Sequence, residues 1–322
     1  MPKKRGKKII DVTVRPTNAA DLDTADKVIR LAFGTLFGMP DPMQFLGDGD
    51  LAHTRFKTDP AGILSAEIDG QLVGTSFATR WGSVAFIGPL TIHPDYWNRG
   101  IGQKLMDQTM EILRKWNVSL AGLFTLPDSP MHIHLYEKYG FRKQELSPLV
   151  SKAVTSHENK SEYKSYSRLS PGEQKKILTQ CKELTDRIYP GLDLTKEIIS
   201  VNSQKIGDMV LVSENEKLMG MAVCHFGAGS EGGSGVNYIK FAAIRPDPKA
   251  AEYFEKLLDA IESFASGKNL VSIMFGINTI NKDAFERVQK RGYTHDFAGV
   301  IMQLHNVRGY RSSDLFVLDD WR

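Results

Sequence analysis

One series of predicted elements runs through this chain twice, so any fold assigned to it has to hold two copies of a single unit. IHPD at residues 92–95 answers to IRPD at 244–247, and LYEKYGF at 135–141 answers to RVQKRGY at 287–293. Between and around these anchors each predicted element keeps its order. The length of 322 residues suits two domains of roughly 100–200 residues each.

In the first half, IIDVTVRP (9–16) alternates as a strand, and Thr17 and Asn18 open an amphipathic helix with Leu22, Ala25, Val28, Ile29 and Ala32 on one face. A second helix is predicted within 41–57. Asp69-Gly70 suits a tight hairpin turn, Trp81-Gly82-Ser83 the next turn, and VAFIGPLTI (84–92) a third strand. A helix over about 99–116 follows, then a strand SLAGLFTL (119–126), a short helix ending at Gly140, and one closing strand, FRKQELSPLVSKAV (141–154). The polar, aperiodic residues 154–170 read as a linker. Beyond it come a helix (171–189), a hairpin (208–226), the glycine-rich GAGSEGGSG (227–235), a strand (238–246), a helix (250–265), a strand (270–277), a helix (283–292) and a final strand (293–304). The expected fold class is α+β: two tandem domains, each a mixed, largely antiparallel sheet flanked by helices.

Composition narrows the function classes. The net charge is +3, and its positive excess lies in MPKKRGKK, residues 1–8, which read as a basic flexible tail. The near-neutral body argues against a nucleic-acid surface. No apolar run reaches the roughly 18 residues of a membrane span. Cys181 and Cys224 are the two cysteines, too few for a disulfide framework or a cysteine-built metal site, and they fit a reducing cytoplasm.

PDYWNRGIGQ (94–103) raises the chemical question, since Gly100 and Gly102 fall in the first turn of a predicted helix. In a helix interior each would cost about 1 kcal/mol relative to alanine, and less in a first turn. Bare amides at a helix N-terminus can take a phosphate, but small residues there also serve tight strand-to-helix packing. The stretch lacks the GxxxxGK[ST] lysine, and its strand sits in a hairpin set rather than a βαβ unit.

Taken together, IGPLTIHPDYW, NRGIG and LYEKYGF resemble the acyl-CoA-binding core of the GNAT superfamily of N-acetyltransferases, over residues 10–150. With FGTLFGMPDPMQFLGD and SPMHIHLYEKYGF, the chain resembles a two-domain (tandem) GNAT subgroup. The resemblance implies that acetyl-CoA, or another acyl-CoA, is the co-substrate. It implies that main-chain groups of Leu90, Thr91 and Ile92 pair with pantetheine, and that Asn98, Arg99, Gly100, Ile101, Gly102 and Gln103 hold the pyrophosphate. With the linker at 154–170, it divides the chain into a catalytic domain (9–153) and a degenerate GNAT-like domain with a C-terminal tail (171–322). Trp97 departs from the glutamine or arginine usual at the first turn position.

Acyl transfer to an amine needs a proton donor for the departing thiolate, and Tyr136 stands where the superfamily often places one. Where some relatives carry a basic glutamate this chain has Phe86, and His93 at the strand end is the candidate base. His132 and His134 splay apart on a helix, and no spacing completes a metal site. For the acceptor, a small-molecule amine or a lysine side chain, residues 33–50 offer Phe33, Phe37, Met39, Met43 and Phe45, with Asp41, Asp48 and Asp50 either attracting a cation or capping helices. The second copy has Lys249 to Phe254 where the first has WNRGIG, and Val288 in place of Tyr136. CHFGAGSEGGSG could line a cleft or be a flexible loop. An N-acetyltransferase is the leading expectation, a non-catalytic acyl-CoA sensor the alternative, and a scaffold the third; a homodimer is compatible with each.

Overall fold

The computed structural model describes residues 11–155, 161–305, 307, 309–319 and 321. The basic tail and residues 156–160 of the linker lie outside the described residues. In chain order the first half comprises β1 (Thr13–Pro16), α1 (Leu22–Leu36), α2 (Leu51–Thr58), β2 (Ile63–Ile68), β3 (Gln71–Trp81), β4 (Val84–Ile92), α3 (Ile101–Trp116), β5 (Leu120–Thr125), α4 (Pro130–Lys138) and β6 (Phe141–Leu146). Then follow β7 (Leu149–Ala153), β8 (Lys164–Ser165), α5 (Pro171–Ile188), α6 (Thr195–Gln204), β9 (Gly207–Glu214), β10 (Lys217–Gly227), β11 (Gly233–Ile244) and α7 (Ala250–Gly267). β12 (Ser272–Gly276), α8 (Lys282–Lys290), β13 (Thr294–Phe297), β14 (Val300–Leu304) and β15 (Val317–Asp319) complete the order.

The punctuation read from the sequence does what its chemistry suits. Asp69 and Gly70 turn the β2–β3 hairpin at φ 50° and 77°, and Gly140 ends α4 at φ 90°. Leu22, Ala25, Val28, Ile29 and Ala32 are the buried face of α1. The helix expected within 41–57 resolves into a 3-10 turn at Pro42–Gln44 and α2.

Two mixed sheets form, ordered β1-β2-β3-β4-β5-β14-β6 and β13-β7-β12-β11-β10-β9-β8, and each borrows a strand from the other half. The segments 141–154 and 293–304, each expected as one strand, are therefore both divided. Pro148 lacks an N–H to continue a ladder. At Gly299 a Cβ would lie 1.8 Å from the Phe124 ring, so any side chain at that crossing would have to displace the ring. β14 slots between β5 and β6, and β7 between β12 and β13.

One apolar core joins the halves. Trp81 and Phe86 from the first meet Phe241, Tyr310 and Trp321 from the second, with Phe86 stacked on Trp321 at 6.3 Å. Gly122 on β5 makes room for the Trp321 ring, which a Cβ there would meet at 2.1 Å.

Candidate active site

The β4–β5 ladder creates the site by stopping. It pairs Val84–Ile87 with Leu120–Leu123 in parallel and ends there, while β4 continues to Ile92 along β3. His93 N donates to Val73 O on β3. Strand alternation then turns the main-chain groups of Thr91 toward β3 and those of Leu90 and Ile92 toward the open wedge. The Trp97 indole takes up one of these groups, donating from Nε1 to Ile92 O at 2.7 Å.

At the wedge mouth Asn98 and Gly100 both adopt left-handed backbone, at φ 60° and 78°. Gly100 is the N-cap of α3, where no side chain caps the helix and no acidic residue occupies the first turn. The first-turn amides therefore keep their positive potential for an anion. A Cβ at Gly102 would approach Leu90 and Leu135 across the cleft at 3.7 and 3.8 Å, and at Gly100 it would meet open space. Arg99 is braced over the Tyr96 ring, 4.9 Å from its centroid, and donates to Asp95 O.

Leu90, Thr91, Ile92, Asn98, Arg99, Gly100, Ile101, Gly102 and Gln103 all line one cleft of about 380 Å³, with Lys138 on the facing helix. A strand edge with free main-chain groups, a bare helix N-terminus and two cations match, in order, an amide-bearing arm and a diphosphate. The residues present fit a CoA molecule.

A second cavity of about 400 Å³ adjoins this cleft and shares Phe33, Leu36, Leu90 and His132 with it. Tyr136 lies on its wall, and its hydroxyl has no hydrogen-bond partner among the described residues. Burial pushes the Tyr136 hydroxyl up to about 12, so it holds its proton throughout the neutral range. His132 faces both cavities; its Nδ1 lies 2.7 Å from Ser129 Oγ, and burial lowers its pKa below the usual 6.5. His93 lines neither cavity and instead accepts from Asp95 N through Nδ1. Phe86 faces the core between the halves rather than the cleft, beneath Trp81 and Trp321.

The second half closes this cavity with Glu231, Tyr238 and Phe297. Arg55 on α2 pairs with Glu231 at 2.8 Å and donates to Gly88 O. Lys240 bridges Glu231 and Glu197 at 2.6 and 3.0 Å, and His225 contacts Glu197 at 3.2 Å. Burial pushes the Glu197 carboxyl up, but Lys240 and His225 outweigh it and hold it at about 2. Burial acts the same way on Glu231, where Arg55 and Lys240 prevail.

The glycine-rich segment is thus a docked loop and not a flexible one. Gly229 N donates to Asp48 O, Asp50 N to Ser230 O, and Ser234 N to the Asp48 carboxylate. Asp41 and Asp50 cap helical turns. Sequence reasoning missed Arg55, Glu231, Phe124 and Phe297, and saw in His132 only a failed metal ligand. The available signal was Glu231 as the lone charge among glycines.

In the second copy the equivalent wedge is filled. The β11–β12 ladder ends at Ile239–Phe275, and β15 then pairs along Phe241–Ala243. α7 begins at Ala250, opposite Asn98 in the shared register, so helix replaces the glycine turn, with Glu252 in its first turn. Val288 is fully buried. Cys224 and His225 are core residues, and burial raises the Cys224 thiol.

Among the described residues no helix is long and apolar enough to cross a membrane, and no cluster of His, Cys, Asp and Glu could hold a metal ion.

Residues 32–141 match the model of the Acetyltransferase (GNAT) family. The wedge and the turn lie within this match, so this part of the first half is similar to GNAT acetyltransferase domains. With its second copy of the fold, the chain has the architecture of a tandem GNAT protein. A putative acetyltransferase from Pyrococcus horikoshii superposes with a TM-score of 0.69 at 16% identity, over 96% of this chain and 95% of its own. A GCN5-related N-acetyltransferase from Sphaerobacter thermophilus gives 0.57 at 12%, over 92% and 96%. A tandem GNAT protein from the clavulanic acid biosynthesis pathway gives 0.56 at 12%, over 91% and 98%. At these identities the likeness speaks for the fold alone. A search of curated proteins gives no match.

Proposed function

We propose that the protein is an acetyl-CoA-dependent N-acetyltransferase acting on a primary amine, with all of its chemistry in the first half. The observation that carries this reading is the meeting of two cavities at His132, with Tyr136 on the wall of the second: one has a bare helix N-terminus, the other an apolar interior.

Leu90 and the N–H of Ile92 hold the pantetheine arm, and the amides of Ile101, Gly102 and Gln103, with Arg99 and Lys138, hold the phosphates. Bound acetyl-CoA supplies an activated thioester carbonyl, to which the amine nitrogen adds, giving an amide and the CoA thiol. His132 is neutral at pH 7 and accepts the proton that the nitrogen loses. Tyr136 supplies a proton to the departing sulfur and regains one from solvent. A phenol raised to about 12 remains matched to this task, because the same desolvation raises the basicity of a thiolate; burial lifts the Cys181 thiol of this chain to about 12.

Thiol release from acetyl-CoA with a panel of amines tests the reading. Tyr136→Phe should lower kcat by about 100-fold or more with the KM for acetyl-CoA little changed. Tight acetyl-CoA binding without turnover on any amine would favour a sensor instead.

A further inference from the structure

We infer that the acceptor is an uncharged-bodied primary amine carrying an aromatic or bulky apolar group, held in a phenylalanine box that both halves of the chain build. This rests on the acetyltransferase reading for the reaction but not for the binding. Phe33, Phe37 and Phe45 stack on one another with centroids 5.1–6.1 Å apart. Phe297 from the second half meets Phe37 edge-on at 5.7 Å and Phe124 at 6.1 Å. Arg30 on α1 holds the loop that brings Phe45 and Leu46 into the wall, donating to the Phe45, Gly47 and Gly49 carbonyls.

The charged groups of the wall are engaged with each other. Glu231 is held by Arg55 and Lys240, and the nearby Asp48 and Asp50 are held by Ser234 N and His53 N. The cavity thus presents no carboxylate free to balance a second positive centre, so a polyamine or a basic peptide would bury an unpaired charge there. At about 400 Å³ it holds roughly a dozen water-sized volumes, room for a ring on a short alkyl link. Such surroundings also disfavour the ammonium form and leave the nitrogen nucleophilic.

The test uses the full chain saturated with CoA and 2-phenylethylamine as probe, with spermidine and hexanoyl-CoA for comparison. Calorimetry should show 2-phenylethylamine binding at least tenfold more tightly than spermidine. In turnover, its kcat/KM should exceed that of spermidine by about 100-fold, the scale of a well-filled apolar pocket. Phe37 is 45% exposed and can be changed without unfolding the chain. Phe37→Ser should weaken 2-phenylethylamine binding about tenfold, and Phe37→Asp should shift the preference toward spermidine, both with acetyl-CoA affinity unchanged. If 2-phenylethylamine binds but is not acetylated, the box stands and the acetyltransferase reading fails. Spermidine binding as well as 2-phenylethylamine would overturn the inference, as would 2-phenylethylamine failing to bind while hexanoyl-CoA outperforms acetyl-CoA, which would give the box to the acyl chain.

Discussion

Gly100 takes φ 78°, a left-handed backbone that costs an L-residue about 1–2 kcal/mol, while at Gly102 the backbone is ordinary helix and a side chain would project into the cleft. The two glycines of the turn therefore answer different demands, one conformational and one of access. Gly102→Glu separates them. It removes a glycine from a first turn and places a carboxylate near a positive helix end, worth about 0.3–1 kcal/mol in favour of folding. It also puts that charge in the proposed diphosphate site. Thermal melting of the variant should occur at or above the wild-type temperature, while acetyl-CoA no longer raises it. The titrating residues set a second expectation. Because burial lowers His132, its neutral form, the proposed proton acceptor, is lost only as pH falls through a value under 6.5, so kcat at saturating amine should decline there and be flat through neutrality. Tyr136, pushed up to about 12, should add no alkaline limb below about pH 11. An alkaline fall near pH 10 that disappears in Tyr136→Phe would contradict this assignment. The turn and Tyr136 were legible in the sequence because they are local patterns. His132 was not, since its place at the junction depends on α1 and α4 lining the same two cavities.

At the scale of elements, periodicity gave helices and hairpins reliably, but it does not say which sheet a strand joins. Residues 141–154 and 293–304 look continuous in sequence, and the breaks at Pro148 and Gly299 are visible only as single residues. α6 and β15 were not anticipated at all. β15 is three residues long and gains its stability from the β11 edge and from Trp321, which stacks on Phe86 and donates to the Tyr310 hydroxyl at 2.7 Å. That makes β15 the plug of the second wedge. Trp321→Ala should cost about 3–5 kcal/mol, in the range of buried aromatic truncations, read by urea unfolding. A loss under 1 kcal/mol would show that this segment is not docked as described.

For the molecule as a whole, strand exchange makes the halves interdependent. Without β14, whose Val300, Ile301 and Met302 are buried, the first sheet would expose facing edges on β5 and β6, a template for aggregation. Residues 1–155 expressed alone should accordingly fail to give a monomeric, cooperatively unfolding domain in gel filtration and circular dichroism, and co-expression with 161–322 should restore one. A stable monomeric fragment would contradict the interdependence. The duplication itself was readable from IHPD and IRPD, whereas the division of labour it serves emerges only when Glu231, Tyr238 and Phe297 are found walling the first half's cavity. The central claim is that two copies of one fold share a single working cofactor site. Calorimetric titration of the full chain with acetyl-CoA measures it directly: one molecule per chain in the wild type and none in Gly102→Glu is the predicted result, and two molecules per chain, or one that survives the substitution, would contradict it.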